Sequence, residues 1–206
     1  MNRIAWVFVL AVCLMLPGMA WADIIVNGGF ENPNTPASTA GFSQVPGWTI
    51  TSPEVGYTVD CTTGTCGAPF YPHSGDAAIW GGASSASNAG TIVQSTITDV
   101  VGEVYSLSFW LANPYVEATP DNSAEVYWNS APIFSETNLT NQPYTQYTAF
   151  VTGTGSDQLQ FALYDAPGVL LLDDVGVNQV PDGGTTLSLL GLAIVGLAGL
   201  RRKLSL

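Results

Sequence analysis

Between Asp23 and Leu200 the chain contains no lysine and no arginine. All four of its basic residues, Arg3, Arg201, Arg202 and Lys203, stand at its two ends, whereas 15 of its 16 acids lie between Asp23 and Asp174 and the last is Asp182. A body of formal charge −15 with no cation has nothing to neutralise phosphates, which argues against nucleic acid as a partner. It also has no Lys or Arg for salt bridges of its own, so a buried carboxylate must be met by backbone donors, hydroxyls or a bound cation. Histidine is almost missing as well. His73 is the only one, too few for a zinc centre. Neither it nor the adjacent Ser74 belongs to a Gly-x-Ser-x-Gly elbow, and no pair among the acids is fixed at a glycosidase spacing, so catalysis is not expected. Strong internal repeats, long low-complexity linkers and helical periodicity in the body are absent too.

What is present begins with two apolar ends. Arg3 precedes the apolar stretch Ile4 to Met15, and Pro17, Gly18 and the small-residue site Ala20-Trp21-Ala22 close it. This is the layout of a secretory signal peptide, residues 1–22, cleaved after Ala22. Cys13 follows Val12 inside the apolar stretch and is no lipidation site. At the other end, Val-Pro-Asp-Gly-Gly-Thr-Thr leads into an uninterrupted apolar run, Leu187 to Leu200, that stops at Arg201, Arg202 and Lys203. As a helix the run is roughly 21 Å long, short of a hydrocarbon core of roughly 30 Å. Gly191, Gly196 and Gly199 leave it without an amphipathic stripe. Placed in a membrane, the basic end would face the cytoplasm and leave the body outside it.

The segment from Val180 to Leu206, a Val-Pro-Asp motif followed by a short apolar helix and a basic end, resembles the C-terminal sorting signal of the PEP-CTERM class in its VPDSG-type variant. Gly183 stands where that variant has Ser. The resemblance implies that Val180, Pro181, Asp182, Gly183 and Gly184 are recognised by an exosortase-type membrane protease. It further implies transient membrane attachment through the C-terminal helix, and release to the cell envelope or extracellular matrix of a Gram-negative-type bacterium. The motif would span 180–186, the apolar helix 187–200 and the basic end 201–206.

Residues 23–179 have the length of one domain. Short β-prone runs at 91–98, 103–112, 123–129, 144–153, 157–164 and 168–177 alternate in polarity. Tyr105, Leu107, Phe109 and Leu111 share one face and Ser106, Ser108, Trp110 and Ala112 the other, the pattern of an antiparallel β-sandwich. Cys61 and Cys66, separated by four residues, suit a small disulfide loop in an oxidising compartment. The ordered set NGGFE, VPGWTI, SGDAAIWGG, YSLSFWLAN, AEVYWNSAPI and LLLDDVGV is similar to galactose-binding-like jelly rolls and to carbohydrate-binding modules. The resemblance implies a structural calcium at Glu31, Asp173 and Asp174. Independently, adjacent aspartates on a strand point to opposite faces, so one of the two must turn inward unless a bulge intervenes. Capping of edge-strand amides is the alternative use for these carboxylates.

Sugar recognition needs flat apolar platforms with polar groups beside them. Trp110, which points away from the Tyr105/Leu107/Phe109 face, leads the candidates, followed by Trp80, Tyr57, Tyr115 and Tyr127; Trp48 is expected in the core. The sequence thus reads as a non-catalytic, all-β jelly-roll surface protein that binds or sits in extracellular polysaccharide. A structural surface protein with protein partners and no sugar site is the alternative, and a glycan hydrolase a distant third.

Overall fold

The computed structural model describes residues 23–31, 45–51, 55–59, 71–82, 89–116, 120–181, 191–194, 196 and 201, with backbone alone for 55–59 and 95. Cys61 and Cys66, residues 1–22, and Asp182, Gly183 and Gly184 of the sorting motif lie outside them.

Ten strands are described: β1 (Thr49–Ile50), β2 (Val55–Val59), β3 (Ala77–Gly81), β4 (Gly90–Ile97), β5 (Val104–Asn113), β6 (Asn122–Trp128), β7 (Ala131–Thr137), β8 (Gln142–Thr152), β9 (Asp157–Asp165) and β10 (Leu170–Gln179). They form two five-stranded sheets, β1-β4-β9-β6-β7 and β2-β3-β10-β5-β8, in which every pairing is antiparallel. This is the expected antiparallel sandwich. The six strands read from alternation appear within a few residues of their expected ends. β7 escapes such a reading because APIFSET, on a sheet edge, keeps no buried face to alternate against.

Between the sheets, Tyr105, Leu107, Phe109 and Leu111 of β5 are buried against Leu159, Phe161 and Leu163 of β9 in one apolar core. Phe109 meets Phe161 at 5.2 Å and Phe134 at 5.2 Å, both edge-on. Trp48 is in the core, as its sequence context predicted, packed between Phe30 at 5.5 Å and Phe161 at 6.2 Å.

The opening segment closes the core by bonding to both sheets. Ile24 donates to the Val177 carbonyl and Val175 to the Gly28 carbonyl, so 24–28 lies along β10. From the opposite sheet, Gln94 of β4 pairs with both backbone groups of Val26, accepting from its N–H at 3.0 Å and donating to its carbonyl at 2.8 Å. Gly28 is required here, since a Cβ on it would lie 1.8 Å from the Val175 carbonyl oxygen. At the far end of the domain Val180 donates to the Val104 carbonyl at 2.8 Å, the last bond before the exposed Pro181. Residues 191–194, 196 and 201 are helical, and no helix among the described residues is long and apolar enough to cross a membrane.

Candidate functional site

The face of β2-β3-β10-β5-β8 turned away from the core carries a second, smaller apolar cluster. Ala112, Val169 and Leu171 are buried there beneath Trp80, Tyr115 and Tyr144. Its order follows from register: Trp80 of β3, Leu171 of β10 and Ala112 of β5 are successive cross-strand partners, and such partners share a face. One row along, Asp173 is opposite Trp110, and Trp110 is opposite Gln146 of β8.

Over this second row lies the turn leading into β3. The His73 imidazole stacks on the Trp110 indole at 3.8 Å and 18°. Tyr144 closes the group edge-on to His73 at 5.2 Å and to Tyr71 at 5.6 Å, and its hydroxyl donates to the Tyr71 carbonyl at 3.0 Å. Burial first, and the Asp173 charge next, push the Tyr144 hydroxyl well above its ordinary range, so it stays a neutral donor.

Carboxylates hold the turn in place. Asp173, fully buried, accepts from the His73 amide at 2.8 Å, the Ser74 amide at 3.2 Å and its neighbour's amide, Asp174, at 2.7 Å. Asp174 meets His73 Nδ1 at 2.6 Å and accepts from the Ser74 hydroxyl at 2.8 Å. Glu31 accepts from the Asp76 amide at 3.0 Å and the Ala77 amide at 3.1 Å. Gly75, at φ +58°, gives the turn its shape, and a Cβ there would lie 2.2 Å from Glu31 Oε1. Burial, then repulsion from Asp174, push the Asp173 carboxyl up to about 7, although its three amide donors pull the other way.

The exception foreseen for the two adjacent aspartates, a bulge, is what the structure holds. The register slips between Asp173 and Gly176 and Asp174 takes φ +47°, so a bulge brings both carboxylates to the same turn on the outer face. The oxygens of Glu31, Asp173 and Asp174 meet backbone N–H groups, the Ser74 hydroxyl and the His73 imidazole. No three His, Cys, Asp or Glu side chains among the described residues gather as a metal set. As placed, these residues fit the amide capping given as the alternative use of these carboxylates.

Of the sequence-derived platform residues, the structure brings Trp110, Trp80 and Tyr115 onto this one face. Tyr115 packs over the Val169 end of the cluster, where burial and the Asp165 charge push its hydroxyl up. Tyr57 lies on β2 opposite Ile79, and its side chain lies outside the described residues. Tyr127 is elsewhere, on β6 of the other sheet, hydrogen-bonded to Glu125. Tyr71, His73 and Tyr144 join the face without having been singled out as platforms. Proximity across about 40 to 70 residues of chain assembles them, and only the run of ring-bearing residues in YPHSG hinted at it.

Comparison with known proteins adds two findings. The VPDSG-CTERM motif, the sorting signal of the exosortase-dependent class, matches residues 179–204. The sandwich is similar to the K3 adhesin domain of Lys-gingipain from Porphyromonas gingivalis (14% identity, 76% of this chain and 99% of that one, TM-score 0.50). It also resembles the CBM22-1 xylan-binding domain of Paenibacillus barcinonensis Xyn10C (19%, 66% and 88%, 0.44). A further match is the enzymatically active domain of tailspike protein 4 of bacteriophage CBA120 (13%, 77% and 21%, 0.47), of which this chain spans about a fifth. At such identities the likeness is one of fold. No curated protein matches by sequence.

Proposed function

We propose that this is an exported, exosortase-sorted surface protein whose sandwich is non-catalytic and binds extracellular polysaccharide on the outer face of β2-β3-β10-β5-β8. The observation that carries the reading is the Tyr71, His73, Trp110 and Tyr144 group. Four rings are gathered on one face, away from the core, beside carboxylates and hydroxyls that can bond sugar hydroxyls. The fold and the sorting motif agree with it and do not name a glycan. The tail would deliver the domain to the envelope or its matrix, where an acidic domain without Lys or Arg recognises a neutral or cation-bridged polymer more readily than a polyanion.

Affinity gels loaded with a panel of neutral and acidic polysaccharides test the reading. Retardation on at least one polymer, lost in His73→Ala and in Trp110→Ala while the melting temperature stays near wild type, is the expected result. A folded domain that runs unretarded on the whole panel overturns it. One observation favours the alternative, a structural surface protein: His73 covers a face of Trp110, so this indole is partly spent on packing. Unchanged attachment to the matrix in Trp110→Ala selects that alternative.

A further inference from the structure

Of the eleven asparagines in the chain, only Asn138 is followed two residues later by Ser or Thr, in Asn138-Leu139-Thr140. Such a tripeptide is the acceptor pattern for N-linked glycans, provided that it is exposed and that the protein is exported. The structure satisfies the first condition in a particular way. The tripeptide forms the turn between β7 and β8. Its middle residue is pinned: Leu139 is buried, its amide donates to Asn122 Oδ1 at 2.8 Å, and its carbonyl accepts from Asn113 and Asn122, each at 2.9 Å. Asn138 and Thr140 on either side are exposed, as is Glu136 two residues before. The Asn138 backbone is fixed by its amide bond to the Asn122 carbonyl at 2.9 Å and by φ +56°, and its side-chain amide has no partner among the described residues. The signal peptide layout and the sorting motif supply the second condition.

We propose that Asn138 is a glycosylation site, modified on Nδ2 during or after export by a membrane oligosaccharyltransferase that uses a lipid-pyrophosphate-linked glycan. The amide nitrogen bonds to C1 of the sugar while the bond from C1 to the pyrophosphate oxygen breaks. The lipid pyrophosphate leaves with the bonding electrons, the displaced amide proton passes to a base of the transferase, and nothing is oxidised or reduced.

The position also has a physical use. β7 and β8 are edge strands of the two sheets, and the turn at 138–141 joins them. β8 runs for 11 residues without a charge and shows Phe150 at 68% exposure, a template for unwanted strand pairing. Lysine, the usual guard of such edges, is absent from the body. A glycan at Asn138 stands where both edges meet.

The test is mass spectrometry of the protein secreted by its own host, digested at acidic residues because the body offers trypsin no site. The peptide carrying Asn138 is expected to bear a glycan mass that fragmentation localises to that residue. Asn138→Asp, which retains the left-handed preference and removes the nitrogen, should lose the mass at an unchanged melting temperature, and Thr140→Ser should keep it. A wholly unmodified peptide in the secreted protein overturns the proposal. So does a mass that persists in Asn138→Asp, which would place the sugar on a hydroxyl. Sugar binding by the ring cluster is a separate property, and its failure would leave this result untouched.

Discussion

Replacing Asp173 by Asn should flatten the stability of the domain against pH. The carboxyl is fully buried, faces Asp174 and is pushed up to about 7 in the fold from an ordinary value of 3.8. Between those two pH values the folded chain holds a proton that the unfolded chain has lost. Stability contributed by this group is therefore complete below about pH 4, falls as the pH rises towards 7 and is level above it. The slope cannot exceed roughly 1.4 kcal/mol per pH unit, so the whole loss is at most about 4 kcal/mol, the lowering by the three amide donors already being part of the raised value. In the Asn variant the group no longer titrates, and one amide faces a donor instead of an acceptor at a cost of about 1–3 kcal/mol, independent of pH. Urea midpoints measured from pH 4 to 8, in EDTA so that no divalent ion competes with the proton, give both curves. The wild-type advantage should fall steadily as the pH rises, and reverse once the loss exceeds the fixed cost of the amide, because only the wild type loses stability through this carboxyl. Parallel curves would refute the buried, repelled carboxyl and with it the account of how the 73–77 turn is held.

Gly28→Ala places a methyl into the Val175 carbonyl and should lower the melting temperature by detaching the opening segment from β10, which hydrogen exchange at Ile24 and Val175 reports directly. Phe30→Ala, at a residue with no exposure that packs on Trp48, should cost about 3–5 kcal/mol in denaturant unfolding. Since the Glu31, Asp173 and Asp174 oxygens are already met by turn donors, adding EDTA or calcium should leave the melting temperature within about 1 °C. A clear drop on chelation would show that a metal reorganises these carboxylates.

The lesson of the ring cluster is that alternation is legible locally and assembly is not. Along β5, the buried Leu107 and Phe109 and the outward Trp110 follow from a period of two, and the sequence carries that period in plain view. His73 carries no such signal. Its ring reaches Trp110 because β10 brings Asp173 beside Trp110 and Asp173 in turn binds the His73 amide, a contact between residues a hundred positions apart. Tyr127 shows the converse: it has the composition of a platform residue, yet β6 belongs to the other sheet, so no local pattern could say that it stands apart from Trp110.

The sequence by itself determined the alternation of the long strands, the burial of Trp48, the cation-free acidic surface and the sorting motif, because each rests on nearest-neighbour pattern or composition. Tertiary structure decided which sheet carries each aromatic residue and what the paired aspartates do. A one-residue slip at Asp174 reverses the face of a side chain, and that slip is set by strand pairing, not by the identity of the residue. It turned two carboxylates that the bare strand would have divided between core and surface into the two hands that hold one turn beneath the rings.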